Sequence, residues 1–293
     1  MPEPSSQPLL RVRELVVEIP TRRGLLRPVN GVSFDVERGE ILGVVGESGA
    51  GKSITGAAII GLLDSPARIA SGEVWLDGER IDNLDIDGLR KVRGRQIGTI
   101  FQDPLTSLNP LLPIGEQLAE TAMVHLSISR AEARERALAA LIEVGIPAAA
   151  QRIDAYAHEF SGGMRQRVVI ALALIAEPRF VIADEPTTAL DVSVQAQILS
   201  LLRSLCVKRN TGVMLITHDM GVIAETTDRV AVLYAGRLAE IGPTREVVES
   251  PGHPYSRGLM AATPTPSELA DKDLRLNHER AVGLRVSSSL RVS

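Results

Sequence analysis

Apolar residues along this chain follow two rhythms. LLRVRELVVEI (residues 9–19) is apolar and β-branched, and VSFDVERGE (32–40) alternates into a turn, so both predict strands. ILGVV (41–45) is a continuous apolar run, the mark of a parallel strand covered on both faces. SITGAAIIGLL (53–63) has helical spacing, GEVWLDG (72–78) predicts a strand ending in a tight Asp-Gly turn, and IGTIFQ (97–102) predicts another strand. From about Ile114 to Ala176 the period becomes helical, notably in SRAEARERALAALIEVG (129–145), where Ser129 is placed to cap. Strand-like runs return as FVIAD (180–184), VMLITH (213–218) and RVAVLY (229–234), with the helical stretch SVQAQILSLLRSLCVKR (193–209) between the first two. A helical segment is thus inserted into an alternating β and α framework. From Pro243 a short helical piece precedes a polar tail without periodicity, and the leader, residues 1–8, is rich in Pro and Ser. Both ends are expected to be disordered. No internal repeat is visible.

Composition narrows the function classes. The 293 residues, 44% hydrophobic and 23% charged, have the balance of a globular protein with an ample core. A net charge of −4 supplies no basic footprint for general nucleic-acid binding, so no nucleic-acid partner is expected. The longest wholly apolar stretch, Val168 to Ala176, falls far short of the roughly 20 residues that cross a bilayer. MPEPSSQP carries no charged n-region and no apolar h-region, so no secretory signal is expected there. Cys206 is the single cysteine and is expected to be an ordinary residue of its helix.

The chemistry is concentrated at the strand ends. GESGAGKS (46–53) fills G-x-x-x-x-G-K-[ST] with Gly46, Gly51, Lys52 and Ser53. Glycines let a backbone wrap closely enough for successive N–H groups to face phosphate oxygens, and the helix beginning at Lys52 adds its positive end. Lys52 then reaches the β- and γ-phosphates and the Ser53 hydroxyl ligates Mg²⁺. The loop residues between, Glu47, Ser48, Gly49 and Ala50, complete the cradle. FVIADEP ends a strand on Asp184, suited to the Mg²⁺ shell, and Glu185, suited to orienting an attacking water as general base. VMLITHD brings His218 to a third strand end, in reach of a γ-phosphate. In FSGGMRQRVVIALALIA (160–176), Ser161, Gly162 and Gly163 open a second helix N-terminus suited to an anion. Lying on the inserted helical region, it can best reach a nucleotide held by another copy.

Taken together, GESGAGKS, FQDPLTSLNP, FSGGMRQR, VIADEPTTALD and LITHD resemble the ATP-binding cassette of ABC transporters. FQDPLTSLNP and PGHPYSRGLMAATP are further similar to the ATPase subunits of the oligopeptide and dipeptide importer group, and the similarity covers roughly residues 9 to 263. The resemblance implies an α/β fold: a P-loop NTPase, RecA-like core (9–102 and 178–242) with an N-terminal antiparallel β subdomain. It also implies an inserted α-helical subdomain (103–177) and a C-terminal extension (243–293). It implies ATP with Mg²⁺, held between the P-loop of one cassette and Ser161, Gly162, Gly163 and Gln166 of a second. Gln102 would sense Mg²⁺ and water, Asp191 would contact across the dimer, and Asp103 to Pro110 would grip a helix of the membrane subunits. The implied partners are a second ATPase subunit, more often a related one than a second copy, two permease subunits and, indirectly, an extracytoplasmic solute-binding protein. The implied location is the cytoplasmic face of the cell membrane, peripherally.

Two departures stand out. Ile19 occupies the place where family members commonly carry an aromatic that stacks on adenine, which implies weaker or less base-selective nucleotide binding. Residues 264–293 contain no cysteine, so the iron-sulfur cluster found in some members is not expected. Soluble ABC ATPases of DNA or ribosomes insert long coiled coils or carry two cassettes, and neither is present. A non-hydrolysing half of an asymmetric pair is disfavoured by the intact Glu185 and His218.

Overall fold

The computed structural model describes residues 7–188 and 190–262; the expectations for residues 1–6 and for the tail from 263 lie outside the described residues. In chain order the strands are β1 (Leu10–Thr21), β2 (Gly24–Val36), β3 (Ile41–Val45), β4 (Arg68–Leu76), β5 (Glu79–Arg80), β6 (Ile97–Ile100), β7 (Phe180–Asp184), β8 (Gly212–Ile216), β9 (Arg229–Tyr234) and β10 (Arg237–Pro243). The helices are α1 (Lys52–Ile59), α2 (Ile86–Val92), α3 (Pro104–Ser107), α4 (Ile114–Leu126), α5 (Arg130–Glu143), α6 (Ala149–Arg152), α7 (Gly162–Leu174), α8 (Val192–Arg209), α9 (Met220–Thr226), α10 (Thr244–Glu249) and α11 (Pro254–Ala261).

Two sheets result. One is antiparallel, ordered β2-β1-β4-β5; the other, ordered β10-β9-β3-β8-β7-β6, is parallel except where β10 returns against β9. The five residues of β3 and of β8 are all buried, as their unbroken apolar runs predict. Alternation then sorts them by face. Leu42, Val44, Met214 and Ile216 pack with the antiparallel sheet and α1, whereas Ile41, Val213 and Leu215 pack with the helices between β6 and β7 and with α8. A third cluster, Val45, Met220, Ile223, Val230, Val232 and Val247, seats α9 and α10 at the β9 edge.

Local chemistry explains most boundaries. Asp77 and Gly78 both have positive φ and join β4 to β5 through a two-residue loop, the expected tight turn. Ser129 begins α5 with a complete capping box to Glu132. The helix expected over 53–63 stops at Ile59, because Gly61 takes φ +64 and closes the end in the left-handed region. The strand expected from 32 begins at Gly24, since β2 is an edge strand and tolerates the arginines and Pro28 of RGLLRPV. Cys206 is fully buried in α8, and burial pushes its thiol up to about 12.

Candidate nucleotide site

Four neighbouring strands of the parallel sheet, β3, β8, β7 and β6, deliver the expected residues at their C-terminal ends, where open α/β sheets hold their ligands. The loop Gly46 to Gly51 follows β3, His218 follows β8, Asp184 and Glu185 end β7, and Gln102 follows β6. Ser48, Gly49, Gly51, Lys52, Ser53, Ile54, Gln102, Glu185, Thr188 and His218 line a single cleft of about 770 Å³.

The loop is shaped by glycine where nothing else fits. A Cβ on Gly46 would stand 2.2 Å from the Leu233 carbonyl, and one on Gly51 would stand 2.2 Å from that of Pro28. Gly51, at φ +100, precedes α1 without a side-chain cap, which leaves the first N–H groups of the helix directed at the cleft. Lys52 is buried, and its Nζ donates to the carbonyls of Gly46 at 2.8 Å and Glu47 at 3.0 Å. Burial lowers its pKa, which the charges of Glu185 and Asp184 only partly offset.

Across from the loop, the Ser53 hydroxyl donates to Asp184 Oδ1 at 3.1 Å. Burial raises the Asp184 carboxyl above its ordinary value despite that bond and the charge of Lys52. Glu185 is held in the opposite sense. Burial alone would raise it, but hydrogen bonds with His218 and Thr188 and the charges of His218 and Lys52 outweigh burial and keep it below its ordinary value. Its carboxylate faces Gln102 Nε2 at 3.0 Å, Thr188 Oγ1 at 2.9 Å and His218 Nδ1 at 3.1 Å. The residue sits at φ +47, an uncommon backbone state for a non-glycine, and its N–H donates to Ile216 at 2.9 Å. An ionised carboxylate with oriented donors on three sides can hold a water for attack.

Thr188 was not legible as a site residue. It lies in the turn directly after Glu185, and its only signal in the sequence is adjacency to the acidic pair.

Other expected residues lie elsewhere on the chain. Ser161 caps α7, accepting from Met164 N at 3.4 Å, and with Gly162 is exposed, away from the cleft lining. A Cβ on Gly163 would meet Val194 Cγ1 at 2.7 Å, so this glycine lets α7 approach α8 closely. Gln166, expected to face nucleotide, is instead 1% exposed, on the side of α7 turned into the protein, and its Nε2 finds no hydrogen-bond partner among the described residues. In this conformation it presents nothing to a ligand. Asp191 is exposed at the start of α8 and makes no side-chain bond to the helix it begins. Ile19 is half-buried on β1 opposite Leu26, outside the lining of the cleft. Among the described residues no helix is long and apolar enough to cross a membrane.

A phosphate loop on β3, an acidic pair on β7, a histidine on β8 and a glutamine on β6, with a serine-capped helix on the segment between β6 and β7, define an ATP-binding cassette. A profile of the ABC transporter family matches residues 29–188. The oligopeptide transport ATP-binding protein OppD of Bacillus subtilis is 47% identical over 267 residues, covering 91% of this chain and 75% of that protein. OppD of Escherichia coli is 51% identical over 256 residues, covering 87% of this chain and 76% of that protein. Among solved structures, the ATP-binding cassette MJ0796, in a dimeric post-hydrolysis state bound to ADP and Pi, superposes with a TM-score of 0.72 at 28% identity over 80% of this chain and 99% of that one. The chain therefore belongs to the ABC transporter family and is its nucleotide-hydrolysing ATP-binding subunit.

Proposed function

We propose that this chain is the motor subunit of a peptide importer, and that the carrying observation is the convergence of Gln102, Thr188 and His218 on the Glu185 carboxylate. Similarity to oligopeptide and dipeptide transport proteins supports the cargo class. In this reading the N–H groups of the loop Gly46, Glu47, Ser48, Gly49, Ala50 and Gly51, with Lys52, bind the phosphates of ATP. Glu185 orients water and accepts its proton, while His218 and Gln102 fix the carboxylate and the γ-phosphate. Ile19 offers adenine an aliphatic face.

The Ser53 hydroxyl and the Asp184 carboxylate, 3.1 Å apart, are hard oxygen donors of the kind Mg²⁺ takes along with water and phosphate oxygens. They and Gln102 would hold the ion, which when bound neutralises charge developing on the phosphates.

The exposed Ser161, Gly162 and Asp191 suit a second cassette stacked head to tail, its P-loop completed by this signature. Val192, beside Asp191, is 84% exposed, a large apolar side chain that such a dimer would cover. A cleft of about 590 Å³ lies between α4, α7 and β6, with Phe101, Thr106 and Leu112 among its walls, and in this reading it would receive a helix from a permease subunit. Leu105 and Leu111 stand exposed beside it. We assign residues 9–102 and 178–242 to the catalytic core, 103–177 to the helical arm and 243–293 to the C-terminal extension. The chain would sit at the cytoplasmic face of the membrane beneath two permeases. ATP closes the pair through contacts made only in the closed state, and hydrolysis removes them, which is how the free energy reaches the permease.

The test is uptake of labelled di- and oligopeptides by membranes carrying the chain with its cognate ATPase and permeases. Uptake should require ATP and vanish with Lys52→Ala. Hydrolysis without stimulation by any peptide and its binding protein would remove the cargo assignment.

A further inference from the structure

Tyr255 belongs to α11, far along the chain from the phosphate loop, yet its hydroxyl oxygen accepts the backbone N–H of Glu47 at 3.1 Å. Its position is fixed from several sides. The start of α11 is held by Glu240 on β10, whose carboxylate accepts from Gly252 N at 2.7 Å and His253 N at 3.1 Å. The His253 ring caps the helix by accepting from Tyr255 N at 3.1 Å. The phenol ring of Tyr255 lies 4.3 Å from that of Tyr234 at the end of β9 and packs with Leu259 and Met260 against the cluster of Val45, Val230 and Val232.

The other side of the same loop residue meets Lys52. Glu47 gives its N–H to Tyr255 and its carbonyl to Lys52 Nζ. One backbone unit therefore links the C-terminal helix to the cation that faces the phosphates. The loop needs such a hold. Gly46, Gly49 and Gly51 all take positive φ, and glycine-rich backbone has the most conformational freedom to lose when it closes on a ligand.

We propose that Tyr255 is a positioning residue for nucleotide binding, pinning the first turn of the phosphate loop through Glu47 and so setting the loop's affinity for the triphosphate of ATP. This rests on the assignment of Gly46 to Ser53 as the phosphate cradle. Pre-ordering lowers the entropy lost on binding, so the effect falls on affinity. Tyr255 forms no hydrogen bond with Gln102, Glu185 or His218, and turnover at saturation is left alone.

The experiment uses the full chain and its Tyr255→Phe, Tyr234→Phe and Lys52→Ala variants, titrated with a fluorescent ATP analogue and assayed for steady-state hydrolysis. Phenylalanine at 255 keeps the ring pair and removes the hydroxyl. One neutral hydrogen bond corresponds to an increase in Kd and KM of about three- to tenfold. The kcat should stay within about twofold, and the melting temperature should fall by no more than the few degrees that one hydrogen bond is worth. Tyr234→Phe removes a hydroxyl with no hydrogen bond among the described residues and should bind as wild type does. Equal affinity for wild type and Tyr255→Phe, with Lys52→Ala losing binding, overturns the inference alone; so does a loss confined to kcat. A wild-type chain that binds no ATP analogue overturns the phosphate-loop assignment and this inference with it.

Discussion

Thr188 offers a sharp test of how Glu185 is tuned. Its hydroxyl donates to Glu185 Oε2 at 2.9 Å, one of the groups that hold this carboxylate below its ordinary value against the opposing effect of burial. Thr188→Val removes the donor at nearly constant volume. A hydrogen bond to a charged group is worth about 1.5–3 kcal/mol, and the exposure of the Thr188 side of the cleft screens that to about 1 kcal/mol. If the bond acts on the water-orienting carboxylate, kcat falls about fivefold. The pH dependence has a definite sign. Losing a donor to the ionised form raises the Glu185 pKa, so the acid limb of kcat moves toward neutral pH while the alkaline side is unaffected. Phosphate release measured across the pH range for wild type, Thr188→Val and Thr188→Ser supplies the check. Serine restores the donor and should restore both kcat and the acid limb. An unmoved acid limb in Thr188→Val, or an equal loss in Thr188→Ser, refutes the tuning argument.

Other outcomes follow from the same geometry. Asp184→Asn removes a carboxylate whose charge burial disfavours, so the variant should melt higher than wild type at neutral pH while losing Mg²⁺-dependent hydrolysis. Because the folded-state pKa of Asp184 is raised, wild type becomes easier to hold folded as pH falls through it. The melting advantage of the variant should therefore shrink on acidification, and a constant advantage would count against burial as the cause. Gly51→Ala sets a Cβ 2.2 Å from the Pro28 carbonyl at φ +100 and should cost about 2 kcal/mol or more, read by denaturant unfolding. Ile19→Tyr should tighten ATP binding about fivefold or more if adenine lies against this position, and unchanged affinity would end that idea.

The strand-end residues that line the cleft were legible in the sequence, and several edge elements of the frame were not. Strands buried on both faces, such as ILGVV and FVIAD, are continuous apolar runs, and the residues at their ends carry recognisable chemistry. Elements that lack such runs leave no comparable signal. The strand β10 lies at an edge and is only half-buried, α9 has two turns started by the Asp219 side chain, and α2 buries Val92 alone. Gln166 follows the signature in sequence, but helical periodicity turned it inward, which the motif by itself does not reveal. Thr188 and Tyr255 were hidden for another reason. Each acts through a bond set by tertiary structure, and for Tyr255 the partner stands 208 positions away.

The most direct test of the central claim is the state of Glu185→Gln in ATP. The substitution keeps the shape of the side chain and removes the base, while the loop, Lys52 and the signature helix stay intact. Size-exclusion chromatography with nucleotide analysis of the eluted protein should show the purified chain, or the chain with its cognate ATPase, as a dimer retaining unhydrolysed ATP, while wild type turns ATP over and elutes as monomer. A Glu185→Gln variant that still hydrolyses ATP at the wild-type rate, or that binds ATP without ever pairing, would contradict the assignment of Glu185 as the base of a head-to-tail motor.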